Sequence, residues 1–525
     1  MRFPRSAAAS VLPLLLACAS SACSSSPEPA PAPAPSATPP APPQAPAPAP
    51  SEPAPEPAKP TCVDDEIKAQ LEAMERVQDL AEVECGDYVE GAAKCFTFTF
   101  TQPLDHSAAA DGETFQQRAR LIHRGCSAPV TVMDSGYGMN RVFYEYEPNI
   151  MFGSNTLELE HRFQGKSLPP AAKRRWTSLS IENGAGDMHD IITAFRKVYA
   201  QNWVSTGASK GGITAVYHRY LFPSDLDGTI AYVAPSSLAR QDKRYQERFD
   251  TKAFPSACRD NVRAFQVAGL STQRPAFVAH LLSNYVATET EANEALEGFL
   301  SAFDWAFWQY ESDCNAVPVP SASAATLIAY FDAQLQATAG MGAQVSPPPA
   351  PTEAELTGAA LAYEWSWQQG FALQVGAHIL PLVDPATVTA RQNDEFWKIT
   401  MPKEPLPAYD GTTNDKARQW ARASAERMLL IYGESDPWSG GALDAPTHPS
   451  SGRYFAPGRG HGAQMAYLAA ADKKDALGKA ATMYGRAQSL KAGDAAVARA
   501  VRSHAFAIRS GRDLGVLRTL KRRAQ

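Results

Sequence analysis

The sequence predicts an α/β fold in which a mainly parallel β-sheet is covered by helices on both faces and interrupted by an inserted helical cap. Strand-like runs alternate with helix-like segments over residues 95–235 and again from residue 428, an arrangement typical of a parallel sheet. Between them, residues 236–419 are rich in Ala, Gln and Glu, and the strand signal lapses. The chain of 525 residues is also too long for one simple core, so an insertion is expected.

The individual elements follow in chain order. Residues 95–100 alternate apolar and polar side chains at a period of two, which indicates a half-buried strand. Further strands are predicted at residues 114–123, 129–133, 156–159, 203–205, 228–235, 428–432 and 453–455. Helices are predicted at residues 63–80, 187–199 and 210–221. The folded body is thus expected to have a core in two parts, residues 61–235 and 420–490, around the cap at residues 236–419.

The first 23 residues are predicted to be a lipoprotein-type export signal. Two arginines precede a short apolar run, which is too short to span a bilayer as a permanent helix. Leu15-Leu16-Ala17 precedes Cys18, and Ser20-Ser21-Ala22 precedes Cys23, so either cysteine is a candidate lipid anchor. The alternative is an ordinary cleaved signal with incidental cysteines. We therefore expect an exported protein, anchored to a membrane of the cell envelope by lipid or else secreted.

Composition defines both ends of the chain and argues against one class of partner. Residues 24–60 are dominated by Pro, Ala and Ser, so they cannot bury enough apolar surface to fold and are predicted to form a disordered tether. Residues 491–525 are predicted to be a basic helical tail exposed to solvent. The net charge is −6, and no basic cluster has interleaved aromatic residues, so nucleic acid is not an expected partner.

The cysteines favour disulfides over a metal site. Besides the two candidate anchors, the cysteines are Cys62, Cys85, Cys95, Cys126, Cys258 and Cys314. An even number in an exported protein favours disulfides. The sequence has no C-x-x-C pair that would indicate a zinc site, so no metal or cofactor is expected. The sequence does not determine the pairing. Cys258 with Cys314 is the pair we favour, since both lie in the predicted insertion.

A candidate nucleophile lies at the junction of a predicted strand and a predicted helix. Gly207-Ala208-Ser209-Lys210-Gly211 is a G-x-S-x-G element, and Gly212 follows it. Such a turn pushes the serine hydroxyl out of the sheet and is so crowded that small residues must flank the serine. The five-residue pattern alone is weak, but the strand before it and the helix after it favour Ser209 as a nucleophile.

An acid and a histidine follow in the order that a serine hydrolase needs. Asp436 follows the strand at 428–432, and His461 lies in a Gly-rich loop after the strand at 453–455. His461 would accept the Ser209 proton and later protonate the leaving amine, while Asp436 would orient the imidazole. Asp436 before a proline could instead be turn chemistry, Glu434 is a rival acid, and loop histidines are usually surface residues. The order and strand-end positions of the three favour a catalytic triad.

The loop after residue 133 is where an oxyanion hole is expected. The segment from Asp134 to Gly138 follows a predicted strand and contains Gly136 and Tyr137. We predict one donor to be the backbone N–H of Lys210 and the second to be a backbone N–H of this loop, with Tyr137 and Gly138 as candidates. A plain tight turn is the alternative.

The motifs together resemble the bacterial secreted prolyl tri/tetrapeptidyl aminopeptidases, which are α/β-hydrolase serine peptidases distantly related to lysosomal Pro-X carboxypeptidases. The matching pieces are residues 100–106 (FTQPLDH), 114–118 (TFQQR), 160–163 (EHRF), 205–212 (STGASKGG), 231–235 (AYVAP), 432–438 (YGESDPW) and 457–462 (PGRGHG). The resemblance spans roughly residues 85–490. It implies an α/β-hydrolase core, a helical cap, and release of short peptides from free N-termini after proline. The leader, the tail and much of the cap carry no matching motif.

Substrate contacts are expected on chemical grounds. Proline is rigid and lacks an N–H, so its subsite needs a flat apolar wall, which Trp438, Tyr137 or cap tryptophans could supply. A carboxylate that binds the substrate α-ammonium would count residues from the N-terminus, and Glu160 and Glu364 are candidates that could equally be structural ion pairs. Two other functions stay open: a lipase or esterase with the same triad, and a catalytically inactive surface binding protein.

Overall fold

The computed structural model describes most of the body of the chain. The described residues are 62–339 apart from 90, 92, 109–111, 140, 141, 287, 311 and 320, then 356, 359, 360, 363, 364, 369, 379, 382 and 383, and finally 407–486. All of them belong to one compact unit, Ala58–Gln525. The predicted signal, tether, both candidate lipid anchors and the basic tail lie outside the described residues.

A nine-stranded sheet organises the described residues, in the order β1-β2-β3-β5-β4-β6-β7-β8-β9. Strands β1 to β3 pair antiparallel, as do β3 and β5, whereas all pairs from β5 onward along the sheet are parallel. The strands are β1 (Val77–Val83), β2 (Lys94–Pro103), β3 (Thr114–His123), β4 (Val130–Asp134), β5 (Asn155–Leu159), β6 (Trp203–Ala208), β7 (Gly228–Tyr232), β8 (Met428–Gly433) and β9 (Gly452–Ala456). The mostly parallel α/β sheet that the sequence predicts is therefore confirmed.

The described helices cover both faces of this sheet or, between residues 244 and 339, pack together in the predicted insertion. They are α1 (Ile67–Glu72), α2 (Glu147–Phe152), α3 (Ile181–Phe195), α4 (Lys210–Leu221), α5 (Arg244–Glu247), α6 (Ser256–Leu270), α7 (Arg274–Asn284), α8 (Glu289–Gln309), α9 (Ala324–Ala339), α10 (Thr412–Ala423) and α11 (Ala470–Met483). Leu429 and Ile431 of β8 pack in one cluster with α11, whereas Leu430 packs in another with α4 and α10. Because successive strand residues point to opposite faces, the two clusters lie on opposite sides of the sheet.

One predicted element is wrong. Residues 63–80 were expected to form a helix, but the helix α1 ends at Glu72 and the strand β1 begins at Val77. In β1 only Val77 is buried, because this edge strand has one neighbour, β2, and most of its side chains face solvent. Its sequence therefore lacks the alternation that reveals a half-buried strand, and backbone pairing with β2 decides its conformation.

The described elements between 236 and 339 are helical and pack around an aromatic core of their own. Trp305 and Trp308 are buried in this cluster together with phenylalanines of α6, α7 and α8. A disulfide joins Cys258 of α6 to Cys314, as the sequence analysis favoured. The other two disulfides, Cys62–Cys126 and Cys85–Cys95, lie at the antiparallel end of the sheet.

The disulfides indicate the compartment in which the protein folds, and the described helices fall short of what a membrane span requires. Three disulfides are typical of a protein that folds in an oxidising compartment, outside the cytosol. Within the described part of the chain, no helix combines the length and the apolar character needed to cross a membrane.

Candidate active site

Ser209 lies in a sharp turn between β6 and α4. Its φ of 58° is in the left-handed region that residues other than glycine rarely adopt, so the turn is strained. A Cβ on Gly207 would lie 2.4 Å from the carbonyl oxygen of Gly211, and one on Gly211 would lie 2.8 Å from the carbonyl oxygen of Asp134. The backbone therefore leaves no room for side chains at either glycine, which is the physical reason for the G-x-S-x-G pattern.

Asp436 and His461 form a buried pair at the same edge of the sheet as Ser209. Their loops follow β8 and β9, and Ser209 follows β6, so all three residues lie beyond the carboxyl ends of parallel strands. His461 Nδ1 is 2.7 Å from Asp436 Oδ2, and the other Asp436 oxygen accepts a hydrogen bond from the N–H of Trp438. His461 Nε2 is buried without a hydrogen-bond partner among the described residues, which leaves it free to receive a proton.

Glu434, the alternative acid, lies at the surface and contacts the loop that precedes His461. Its side chain is exposed and accepts a hydrogen bond of 2.9 Å from the N–H of Gly458, in the loop that leads to the histidine. Asp436 is fully buried by comparison. The geometry thus joins Asp436, and not Glu434, to His461.

The loop after β4 lies directly against the nucleophile turn, where a Cβ on Gly136 would be 2.4 Å from the nitrogen of Gly211. The N–H of Gly136 donates to Asp134 Oδ1 at 2.7 Å, and the N–H of Tyr137 donates to Ser135 Oγ at 3.2 Å. Both N–H groups therefore have hydrogen-bond acceptors within the loop. The Tyr137 hydroxyl, by contrast, is 3.2 Å from Ser209 Oγ.

Behind this loop lie four buried ionisable side chains, here called the four-charge chain: Asp134, His161, Glu364 and Lys210. His161 Nδ1 is 2.9 Å from Asp134, its Nε2 is 2.9 Å from Glu364, and Lys210 Nζ is 2.8 Å from the other Glu364 oxygen. Each of the four is 1% exposed. These four side chains connect the loop after β4, the residue after Ser209 and the predicted insertion.

Opposite charges stabilise each other within the four-charge chain. Burial disfavours a charged imidazole, but the carboxylates of Asp134 and Glu364 outweigh burial and raise the pKa of His161 to about 9. Burial likewise disfavours a charged Glu364, but the cations His161 and Lys210 lower the pKa of Glu364 to about 2. At neutral pH His161 is therefore protonated and Glu364 is ionised.

The two carboxylates predicted to bind a substrate ammonium both have protein partners. Glu160 accepts hydrogen bonds of 2.9 Å from the N–H of Met139 and from both the N–H and the hydroxyl of Ser167. Glu364 belongs to the four-charge chain. These contacts support the structural alternative for both residues.

Trp438 lies beside His461, where a side chain could contact a substrate. It is half-buried, its ring centre is 6.2 Å from that of His461, and it meets Trp305 edge-on at 5.0 Å. Gly138, the other predicted oxyanion residue, is exposed and lies beside the Glu160 carboxylate.

Two residues of the predicted insertion that the sequence analysis missed hold the loops that carry Asp436 and His461. Arg248 Nε donates to the carbonyl oxygen of Asp436 at 2.7 Å, and its Nη2 donates to that of Glu434. The carbonyl oxygen of Gln309 accepts from the N–H of His461 at 3.0 Å, and its side-chain oxygen accepts from the indole N–H of Trp438. No local motif marks either residue, because these contacts join segments that are far apart in sequence.

Comparison with known proteins gives one family. The profile described as PS-10 peptidase S37 matches residues 58–514. The chain is 30% identical over 400 residues to a prolyl tri/tetrapeptidyl aminopeptidase of Streptomyces mobaraensis, covering 72% of this chain and 77% of that protein. It is 27% identical over 164 residues to a serine-protease-like protein of Caenorhabditis elegans, covering 28% of this chain and 32% of that protein.

Among solved structures, a proline iminopeptidase of Mycobacterium smegmatis covers 82% of this chain and 100% of its own length. Its identity to this chain is 13% and its TM-score is 0.30. At that level of similarity the α/β-hydrolase fold rests on the strand order and on the family, and not on this comparison.

Proposed function

This chain belongs to the peptidase S37 family and is a serine peptidase, and from that premise we propose that it releases short peptides from free N-termini by cleavage after proline. The observation that carries the proposal is the assembly of Ser209, Asp436 and His461 at one edge of the sheet. The name of the Streptomyces relative supports peptides of three or four residues as products. No cofactor is needed for this chemistry.

The proposed reaction passes through an acyl-enzyme. Ser209 Oγ attacks the scissile carbonyl carbon while its proton moves to His461 Nε2, and the carbonyl electron pair moves onto oxygen. Collapse of this intermediate breaks the C–N bond, and His461 returns the proton to the leaving amine. Water then attacks the acyl group by the same route and releases the peptide. Asp436 holds the imidazole through Nδ1 and stabilises its charged form.

We propose Trp438 as the wall of the proline subsite. Its ring is only half-buried and lies next to His461, so part of an apolar surface remains accessible beside the reacting atoms. Trp305 and Trp308, the described cap tryptophans, are buried in the cap's aromatic cluster, so we assign them to packing. Because the partners of Glu160 and Glu364 are in the protein, we propose neither as the acceptor of the substrate ammonium.

Three matched substrates test the specificity. On Ala-Ala-Pro-p-nitroanilide we expect kcat/KM to exceed that on the N-acetylated peptide and that on Ala-Ala-Ala-p-nitroanilide by about 100-fold or more each, because both changes remove contacts that the site is built to make. Equal rates on the free and acetylated peptides would exclude an aminopeptidase, and equal rates on the Pro and Ala peptides would exclude proline specificity. A hydrolase that cleaves p-nitrophenyl esters but none of the three amides would instead be an esterase.

We also propose that the protein is exported and anchored through a lipid on Cys18 or Cys23. The signal-like start of the sequence and the oxidising compartment that the disulfides indicate support this proposal. Radiolabelled fatty acid should be incorporated into the wild type, persist in one of the variants Cys18→Ser and Cys23→Ser, and vanish in the double variant. Unlabelled wild-type protein, free in the medium or periplasm, would contradict the anchor and leave a secreted enzyme.

A further inference from the structure

We propose that the Tyr137 hydroxyl, and not the N–H of Gly136 or Tyr137, is the second donor of the oxyanion hole beside the N–H of Lys210. This inference rests on the proposed function, since an oxyanion arises only if Ser209 attacks a carbonyl. It assigns Tyr137 a direct contact with the reacting atoms.

Two backbone N–H groups of the loop are already engaged in hydrogen bonds. The N–H groups of Gly136 and Tyr137 donate to the side chains of Asp134 and Ser135. Ser135 in turn donates its hydroxyl proton to the carbonyl oxygen of Tyr137, and Asp134 is held by His161. To reach a substrate, either amide would have to break contacts that fix the loop. The loop is thus built to present a side chain and not these two N–H groups.

The Tyr137 side chain reaches the candidate nucleophile. The Tyr137 hydroxyl is 3.2 Å from Ser209 Oγ, and it accepts a hydrogen bond from the N–H of Lys210. A carbonyl oxygen under attack by Ser209 must come within about 3 Å of the N–H of the residue after the nucleophile. The hydroxyl therefore lies beside the position where negative charge would develop. When a carbonyl oxygen takes over the Lys210 N–H, the hydroxyl can turn its own proton toward that oxygen.

The Tyr137 hydroxyl keeps the proton that it would donate in the hydrogen bond. Burial of the phenol raises the pKa of Tyr137 far above its usual value, and the neighbouring Tyr310 and Tyr146 add to this effect. The hydroxyl therefore stays protonated at neutral pH and is a neutral donor. During attack the Ser209 proton goes to His461, so Tyr137 stabilises the oxyanion by a hydrogen bond and transfers no proton.

The variant Tyr137→Phe tests the inference, because it removes only the hydroxyl. We expect kcat on Ala-Ala-Pro-p-nitroanilide to fall about 10²- to 10³-fold, with KM within a few-fold of wild type. The affinity for a peptide boronate, which forms a tetrahedral adduct on serine, should fall by the same factor as kcat/KM, whereas inhibition by the product Ala-Ala-Pro should be unchanged.

Tyr144→Phe is the matched control. Tyr144 is also buried and lies in the same part of the chain, but its hydroxyl contacts that of Tyr146, 2.9 Å away. Its kcat should stay within about twofold of wild type, since it has no contact with the reacting atoms. Placing 3-fluorotyrosine at position 137 keeps a hydroxyl donor and should keep kcat within a few-fold of wild type.

The outcomes separate this inference from the proposed function. If the wild type neither cleaves peptides nor reacts with a fluorophosphonate, the proposed function fails. If the wild type is active and Tyr137→Phe retains kcat within threefold, the hydroxyl is not the donor, while the serine peptidase stands. The inference would also be overturned if Tyr137→Phe lowered the affinity for the product by the same factor as the affinity for the boronate. The hydroxyl would then act on ground-state binding. Should Tyr137→Phe fail to fold, an inactive but folded 3-fluorotyrosine protein would overturn it.

Discussion

The variant Ser209→Ala is expected to lose peptidase activity by about 10⁴-fold or more and to lose all labelling by a fluorophosphonate. The change removes the hydroxyl oxygen that forms the acyl bond in the proposed mechanism, and alanine fits where the serine side chain is. Peptide hydrolysis and gel-based labelling measure the two effects, and circular dichroism checks that the fold is intact.

Ser205→Ala is the matched control for this prediction. Ser205 lies on the same strand β6, is buried, and uses its hydroxyl to bond Thr229 Oγ1 at 2.9 Å. It should be somewhat less stable than wild type, by about 1 kcal/mol, yet fully active and fully labelled. Undiminished turnover by Ser209→Ala would remove the whole catalytic assignment.

The variant Asp436→Asn is expected to lower kcat by about 10⁴-fold, while Glu434→Gln stays within a few-fold of wild type. An asparagine at 436 can donate its amide N–H to His461 Nδ1, which would leave the proton of the neutral imidazole on Nε2. That nitrogen could then no longer accept the Ser209 proton. Glu434 has no such effect, because its exposed carboxylate contacts only the loop N–H of Gly458 among its described hydrogen bonds.

Rates of the two variants, measured with the same peptide substrate, decide between the two acids. A larger loss in Glu434→Gln than in Asp436→Asn would show that the wrong carboxylate had been chosen. Losses of equal size would indicate that the loop as a whole, and not one carboxylate, governs the position of His461.

Features with a local cause could be predicted from the sequence. The strands of the parallel part of the sheet lie where they were expected, within a few residues at their ends. The nucleophile turn could be recognised because the crowding around Gly207 and Gly211 excludes other residues. The helix prediction was wrong for residues 77–83 because β1 is an exposed edge strand, whose pairing with β2 is not encoded in a local pattern.

Features that depend on contacts between distant segments could not be predicted. The sequence placed Tyr137 in the oxyanion loop, but only the structure shows that its amide is engaged and its hydroxyl faces Ser209. Likewise, the sequence left Glu160 and Glu364 open as substrate contacts or structural ion pairs, and only the structure shows their protein partners. A side chain's partners depend on how the chain packs in three dimensions, and one sequence gives no register for segments 200 residues apart, as His161 and Glu364 roughly are.

The predicted insertion contacts the loops that carry Ser209, Asp436 and His461 through several residues, which has a consequence for protein engineering. Arg248 holds the acid loop, Gln309 holds the histidine loop, and Glu364 holds Lys210 beside the nucleophile. The insertion is therefore not an interchangeable module. A cap grafted from another hydrolase would leave the recipient loops without these partners, so chimeras need crossover points that let each pair be inherited together. Libraries that randomise the insertion to alter substrate range will, at these three positions, alter turnover as well.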